Sequence, residues 1–510
     1  MTRTLPLPAG RTARPPARRP SPVPRLLPML PVLAMPALLA LPPTATNGGG
    51  AGPADVVSAL VVVHCALLLV RHRRRPLSAP AAAVLGLPVV GVALAAMGAA
   101  SPGAGLAGLG RYLQIFVLVP AAVLLLIRDR RDFTLLAWSF VGLAGWQGAL
   151  GVHQYVTGTG ASYRGVDIRA VGTFGAQDVM GMATVVSFGL VCAVGLALGR
   201  SAAHRRVLAA GCALALLVPL ALSFSRGAWI ATATACAVQL VAAGLRRALA
   251  VAAAVLAAGV ILVGGLGVGT ALLEERVSSI TQVADSPDQS VVDRYSMWAA
   301  AASMWRERPL TGVGLKSFPE YRDGHSPLAL SSGSDTEGAG AAYRRQPLLS
   351  PHNMYLLVLA EQGLTGLLAL AGSWLALLAC ALRRVWRTRA AARPGAERTA
   401  AGECGLVACG LLVWQLTDFG YADIGGSSTV LTAVLLGLAG WWALLGGGTP
   451  TDDGVTATGA ARGGGGGDGG VTEGRAVIDD GEAADSGTAV AGGTATDGAG
   501  SVAEMEGAGR

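Results

Sequence analysis

His352 follows Ser350-Pro351 and stands at the start of a long apolar run that begins at 353. Pro351 permits a helix to begin there. An unperturbed imidazole has a pKa near 6.5, so His352 can accept a proton from a hydroxyl at neutral pH. A His at a helix start can also serve as a cap or as a solvated surface residue. Arg226, in ALSFSRGAWIA at 221–231, occupies a very short turn between two apolar runs. An ionisable residue at membrane depth is costly and marks a functional position by default. Its planar fork of donors fits phosphate oxygens better than a lysine point charge does. The competing assignment is an Arg that snorkels to lipid headgroups. Arg294 in DRYSMW, Lys316 and Arg322 add positive charge before His352, and Arg169 lies in IRAVGTFGAQD. Arg294 also suits a plain helix-surface charge. Glu361 sits nine residues beyond His352. That is about two and a half helical turns, so Glu361 is expected to face away from His352 and to serve packing between helices.

The elements that must hold these residues are apolar. The chain is 52% hydrophobic and 14% charged, with a mean hydropathy of +0.52. Soluble domains carry about 25% charged residues, and roughly 20 apolar residues span a bilayer. Apolar runs occur at 26–41, 54–70, 81–98, 112–127, 133–152, 179–198, 207–222, 227–243, 248–269, 353–382, 402–416 and 428–445. The fold class expected is an all-α polytopic membrane protein with about 12 transmembrane helices and one large loop containing short helices. The first run is broken by Pro28, Pro31 and Pro36 and reads as a weak span or a signal core.

Loop charge gives the orientation. RHRRR at 71–75, RDRRD at 128–132, GRSAAHRR at 199–206, LRRA at 245–248 and RRVWRTRAAARPGAER at 383–398 are basic, and the loops between them are not. Basic residues near span ends stay in the cytoplasm. This register puts both termini inside and 153–178, 223–226, 270–352 and 417–427 outside. The organisation expected is then a disordered cytoplasmic segment at 1–25, transmembrane helices 1–9 over 26–269, an extracytoplasmic loop at 270–352, helices 10–12 over 353–445, and a disordered acidic Gly-rich tail at 446–510 that is dispensable for chemistry. Within the loop, Asp293 is expected to cap a helix that runs to about Arg306 before Pro309. Tyr295, Trp298, Ala302 and Trp305 would share one face, lying on the membrane surface.

Several chemistries find no support. The seven Cys lie in or beside apolar runs without CxxC spacing. There is no GxxxxGK[ST] and no HExxH, and the outer loops carry no D-x-D pair; Asp285 and Asp288 are isolated acids. No nucleic-acid surface is indicated, and no metal or other cofactor is called for.

Two blocks, 293–323 and 350–370, resemble the O-antigen ligase/polymerase family, with weaker likeness over 160–380. PLTGVGLKSF is similar to that family's P-x-x-G-x-G, and HNMYLLVLAEQGLTG to its H-N helix start followed by A-E-x-G-x-x-G. The S-x-S-R-G-A around Arg226 is another similar motif. IRAVGTFGAQD resembles R-x-x-G-T-F-G-N-x-N, but Gln177 and Asp178 depart from it. The resemblance implies a membrane glycosyltransferase, independent of nucleotide and metal, in cell-surface polysaccharide synthesis. It would move a glycan from an undecaprenyl-diphosphate carrier to a hydroxyl of a glycan, lipid or protein acceptor outside the cytoplasmic membrane. His352 would be the base, and Arg226, Arg294, Arg169 and Lys316 would bind the diphosphate donor. The competing class is a transporter or flippase of lipid-linked glycans, and a third is a membrane scaffold.

Cysteines placed in the Ser331–Gly340 spacer are expected to react with a membrane-impermeant thiol reagent in intact cells. Labelling only after lysis would overturn the orientation.

Overall fold

In a computed structural model of the chain, the residues described are 27–42, 52–72, 77–163, 167–175, 178–199, 201–246, 248–251, 253, 289–327, 330, 334–338, 344–346, 348–390, 401–426 and 428–445. The expected run at 248–269 falls almost wholly outside them, as do the N-terminal segment and the tail.

The order of elements is α1 (Leu30–Leu38), α2 (Pro53–His72), α3 (Ala79–Met97), α4 (Pro102–Leu113), α5 (Val119–Leu126), α6 (Arg130–Thr157), β1 (Ala161–Tyr163), β2 (Asp167–Arg169), α7 (Val179–Leu198), α8 (Ala203–Leu222), α9 (Arg226–Ala243), α10 (Gln289–Glu307), α11 (Phe318–His325), β3 (Ser334–Gly338), β4 (Arg344–Gln346), α12 (Met354–Ala390), α13 (Ala401–Asp418) and α14 (Thr429–Gly440). Among the described residues, seven helices are long and apolar enough to cross a membrane. One of them, Pro102–Leu126, joins α4 to α5 and starts ten residues before the apolar run at 112–127. α9 and α13, of 18 residues each, also coincide with apolar runs of the sequence. Their inward faces carry Ala228, Ala235, Cys404, Val407 and Trp414, all buried.

Helices dominate, as expected, with four short strands beside them. The strands make one sheet in the order β2-β1-β3-β4. Ala161 opposes Gly338 and Ser162 opposes Glu337 across an antiparallel pair. Strands this short, with few β-branched residues, give little periodicity to read. The pairing brings β1 and β2 to the same end of the bundle as β3 and β4. Three further contacts gather segments there. Ala170 N–H donates to Leu222 O at 3.3 Å. The Tyr421 ring lies against Gly227, and Asp178 packs on Gly426.

α10 begins five residues earlier than expected. Asp293 is therefore inside the helix and buried, not its cap. Nothing between Gln289 and Asp293 breaks a helix, and Pro287 is the nearest stop upstream. The face that α10 buries is Met297, Ala300, Ala301 and Met304, with Val313, Phe318 and Leu357 in the same cluster. Tyr295 stays largely exposed, while Trp298 and Trp305 are half-buried.

α12 is 37 residues long and breaks at Gly363, where φ is +66°. A break strands backbone groups that must be satisfied, above all in a lipid setting. The turn from Pro309 to Phe318 satisfies them. Val313 and Gly314 N–H donate to the Ala360 and Glu361 carbonyls at 2.9 and 3.0 Å. Leu364 and Thr365 N–H donate to the Pro309 and Leu310 carbonyls at 2.9 and 3.2 Å. The approach needs glycine on both sides. A Cβ on Gly363 would overlap the Leu310 carbonyl, and one on Gly312 (φ +68°) would overlap the Glu361–Gln362 peptide. The other side of the turn is fixed to the end of α3, through Leu315 N–H to Ala95 O at 2.9 Å and Ala100 N–H to Ser317 Oγ at 2.9 Å.

Gly312→Ala is expected to lower stability by more than about 2 kcal/mol, combining left-handed strain with backbone overlap. Gly142→Ala, where a Cβ meets nothing within 4 Å, should leave stability unchanged or raise it slightly. Thermal unfolding in detergent measures both. Equal midpoints for the two variants would contradict the interlock.

Candidate functional site

The end of the bundle that collects the four strands, the 223–227 turn, α10, α11 and the 417–426 segment also collects the candidate residues. Asn353, not His352, caps α12. Its Oδ1 accepts from Leu356 N–H at 3.0 Å and its Nδ2 donates to Gly420 O at 3.0 Å. Met354 N–H is shared by the Phe419 and Ala422 carbonyls at 2.9 and 3.0 Å. The cap role considered for His352 is thereby filled by its neighbour. Trp298 Nε1 donates to Pro351 O at 2.9 Å and ties α10 to the residue before His352.

His352 has φ +48°, and Lys316 and Phe224 have φ +60° and +50°. Among the described residues these are the non-glycine positions with positive φ. Such residues carry strain and gather at functional sites. Two are candidates from the sequence, and the third is two residues from Arg226. His352 keeps an exposed surface, yet protein crowds it enough that burial lowers its pKa. Arg294 lowers it further, while the Asp423 carboxylate opposes both. His352, Arg294 and Asp423 are thus within electrostatic reach of one another. Lowering by burial keeps the ring neutral, the form a base needs.

Asp423 has no local signal in the sequence. It lies 71 positions from His352, in the short segment between α13 and α14. Only its place in a segment expected to lie outside points to it.

Arg226 is the first residue of α9 and is exposed. Ser225 caps that helix, its Oγ accepting from Ala228 N–H at 3.3 Å. A cation at a helix N-terminus opposes the helix dipole. An anion drawn to both would resolve the conflict. Tyr421, against Gly227, links this turn to the segment that carries Asp423. Arg169 ends β2, beside the residue bonded to Leu222. Gln177 lies outside the described residues.

Lys316 belongs to the turn. Its stem lies over Gly108 and its charge faces Glu361. Glu361 is 1% exposed and accepts the Phe318 N–H at 3.3 Å. It therefore packs, but against a turn more than between helices. Arg322 is engaged by Asp323 at 2.7 Å and by the Leu348 carbonyl. Among the described residues no group of three or more His, Cys, Asp or Glu could hold a metal ion.

Residues 210–371 match the O-Antigen ligase family model.

The O-Antigen ligase match includes Arg226, Arg294, Lys316, His352 and Glu361, and both the turn and the break in α12. Arg169 and Asp423 lie outside it. It falls within the 160–380 stretch whose residues resemble that family, and it supports the resemblance. No curated protein matches the chain. The chain is thus similar to the O-Antigen ligase family over 210–371, and seven helices among the described residues are long and apolar enough to cross a membrane, which supports a multi-pass membrane protein.

The charges around His352 set a signed expectation. Asp423→Asn removes the group that raises its pKa, so the pKa should move down. Arg294→Gln removes one that lowers it, so the pKa should move up. Diethyl pyrocarbonate modifies the neutral ring, and peptide mass spectrometry of His352 modification against pH gives the midpoint. Movement of either variant in the opposite direction, or of neither, would contradict the arrangement.

Proposed function

We propose that the chain is a membrane glycosyltransferase that moves a glycan from an undecaprenyl-diphosphate carrier to an acceptor hydroxyl, on the extracytoplasmic face. The observation that carries this proposal is His352. It is held in a left-handed conformation within electrostatic reach of Arg294 and Asp423, with the helix cap supplied by Asn353. The extracytoplasmic sidedness rests on the alternating basic loops.

A ring nitrogen of His352 takes the acceptor proton as the acceptor oxygen attacks the anomeric carbon. The bond from that carbon to the phosphate oxygen breaks, and the lipid diphosphate leaves with the electron pair. Arg226 and Arg294 stabilise the departing charge, with Arg169 and Lys316 as further donor-side cations. A single displacement inverts the anomeric centre. Asp423 stabilises the imidazolium that forms. The acceptor can be a glycan, a lipid or a protein, so the activity is that of a ligase or a polymerase. The chain uses no nucleotide or metal in this scheme. A flippase of lipid-linked glycans would share the apolar helices but has no use for a strained His beside a helix cap that it does not supply.

Transfer by His352 variants at matched protein levels tests the proposal. General-base catalysis contributes about 10²–10⁴-fold, and His352→Ala, Gln, Asn and Ser should each lose about that much. Asn is the informative variant, because it tolerates φ > 0 and so keeps the backbone while removing the base. Arg226→Ala and Arg294→Ala should weaken use of the donor, with Lys restoring it in part. An active Asn or Ser variant would remove His352 as base, and full activity of both Arg variants would remove diphosphate stabilisation by them.

A further inference from the structure

The opposite end of the bundle carries a second charged cluster that glycan transfer does not use. Beyond the break at Gly363, α12 runs on to Arg384, about 32 Å at 1.5 Å per residue. There the Arg384 guanidinium lies over the Trp442 ring, 4.8 Å from its centroid. The indole is fixed in turn, since Trp442 Nε1 donates to Ala381 O at 3.3 Å. Arg384 Nε is buried and makes no hydrogen bond among the described residues. Arg130, which opens α6, is within electrostatic reach of Arg384 and of Glu403. Arg205, near the start of α8, also reaches Glu403. Glu403 is 6% exposed, packs on Gly199 at the end of α7, and leaves Oε2 without a partner among the described residues.

Arg130 is therefore within reach of both the like charge of Arg384 and the Glu403 carboxylate, which Arg205 also reaches. Like charges this close repel, and an anion that joins them relieves the repulsion. The setting points to the source of that anion. Trp386, two residues past Arg384, is 60% exposed. Exposed indoles at helix ends mark the headgroup level of a bilayer. Basic pockets between helices at that level suit lipid phosphates.

We propose that Arg384 and Arg130 bind the phosphate of an anionic phospholipid, from the leaflet opposite the one that His352 faces. Arg384 offers its fork to the phosphate oxygens, with Trp442 as floor. Arg130 supplies the second charge. Glu403 opposes the ligand and limits its affinity. The site is independent of glycan transfer, so it stands or falls separately.

Native mass spectrometry of the full chain in detergent, titrated with phosphatidylglycerol or phosphatidylcholine, tests it. Phosphatidylglycerol should be retained and phosphatidylcholine should not. Arg384→Gln and Arg130→Gln should each weaken retention about fivefold, the equivalent of about 1 kcal/mol per basic residue. Glu403→Gln should strengthen it, and that variant keeps the test decisive if an Arg variant fails to fold. Glycerol phosphate should not displace the lipid; displacement at equal concentration would make the ligand a soluble phosphate and overturn the lipid assignment. Equal retention of both lipids, or no change across the variants that fold, would overturn the site.

Discussion

The break in α12 at Gly363 is the constraint from which the rest follows. A helix in an apolar surround cannot leave carbonyl and amide groups unpaired. Four of them, at 360, 361, 364 and 365, are taken up by the backbone of one turn. That turn can approach only because Gly312 and Gly363 lack side chains. It carries Lys316 at positive φ, packs α10 and α11 against α12, and pins the end of α3. Glu361 completes the clamp by accepting an amide from the same turn. The first nine residues of α12, from Met354, are thus held as a short rigid piece between the turn and the 417–426 segment.

His352 sits at the free end of that piece. Asn353 satisfies the helix start and also grips Gly420, so the segment carrying Asp423 is fixed by the residue that follows His352. Below it, Phe419 stacks edge-on with Trp374 at 5.3 Å and with Tyr355 at 6.3 Å. Aromatic packing therefore sets the height of the segment against α12. Geometry near His352 depends on backbone bonds and buried rings, which do not reorganise as charge moves. Preorganisation of this kind is what electrostatic stabilisation of a leaving group requires.

Much of this is legible in the sequence because two signals are local. Apolar runs mark the helices, and α7, α8, α9 and α12 coincide with those runs. The H-N and glycine motifs mark the turn and the start of α12. What is not legible is what depends on long-range pairing. The sheet joins β1 to β3 across more than 170 residues, and its strands are too short to show alternation. Asp423 comes within electrostatic reach of His352 only through the fold. Asp293 reads as a cap because Asp is a good one, yet the helix extends past it since nothing upstream stops it. The motif glycines are visible, but their purpose, two backbones in contact, needs the partner segment of chain to be known.

Two accounts of a bundle like this compete, transfer of the glycan and movement of the whole carrier across the membrane. Purified protein in proteoliposomes, supplied with a lipid-diphosphate-linked glycan and an acceptor in the absence of nucleotide, separates them in one measurement. Transfer with His352 as base predicts that glycan appears on the acceptor with inverted anomeric configuration, and that lipid diphosphate is released in equal amount. Recovery of the intact donor on the other leaflet, with no lipid diphosphate released, would contradict it.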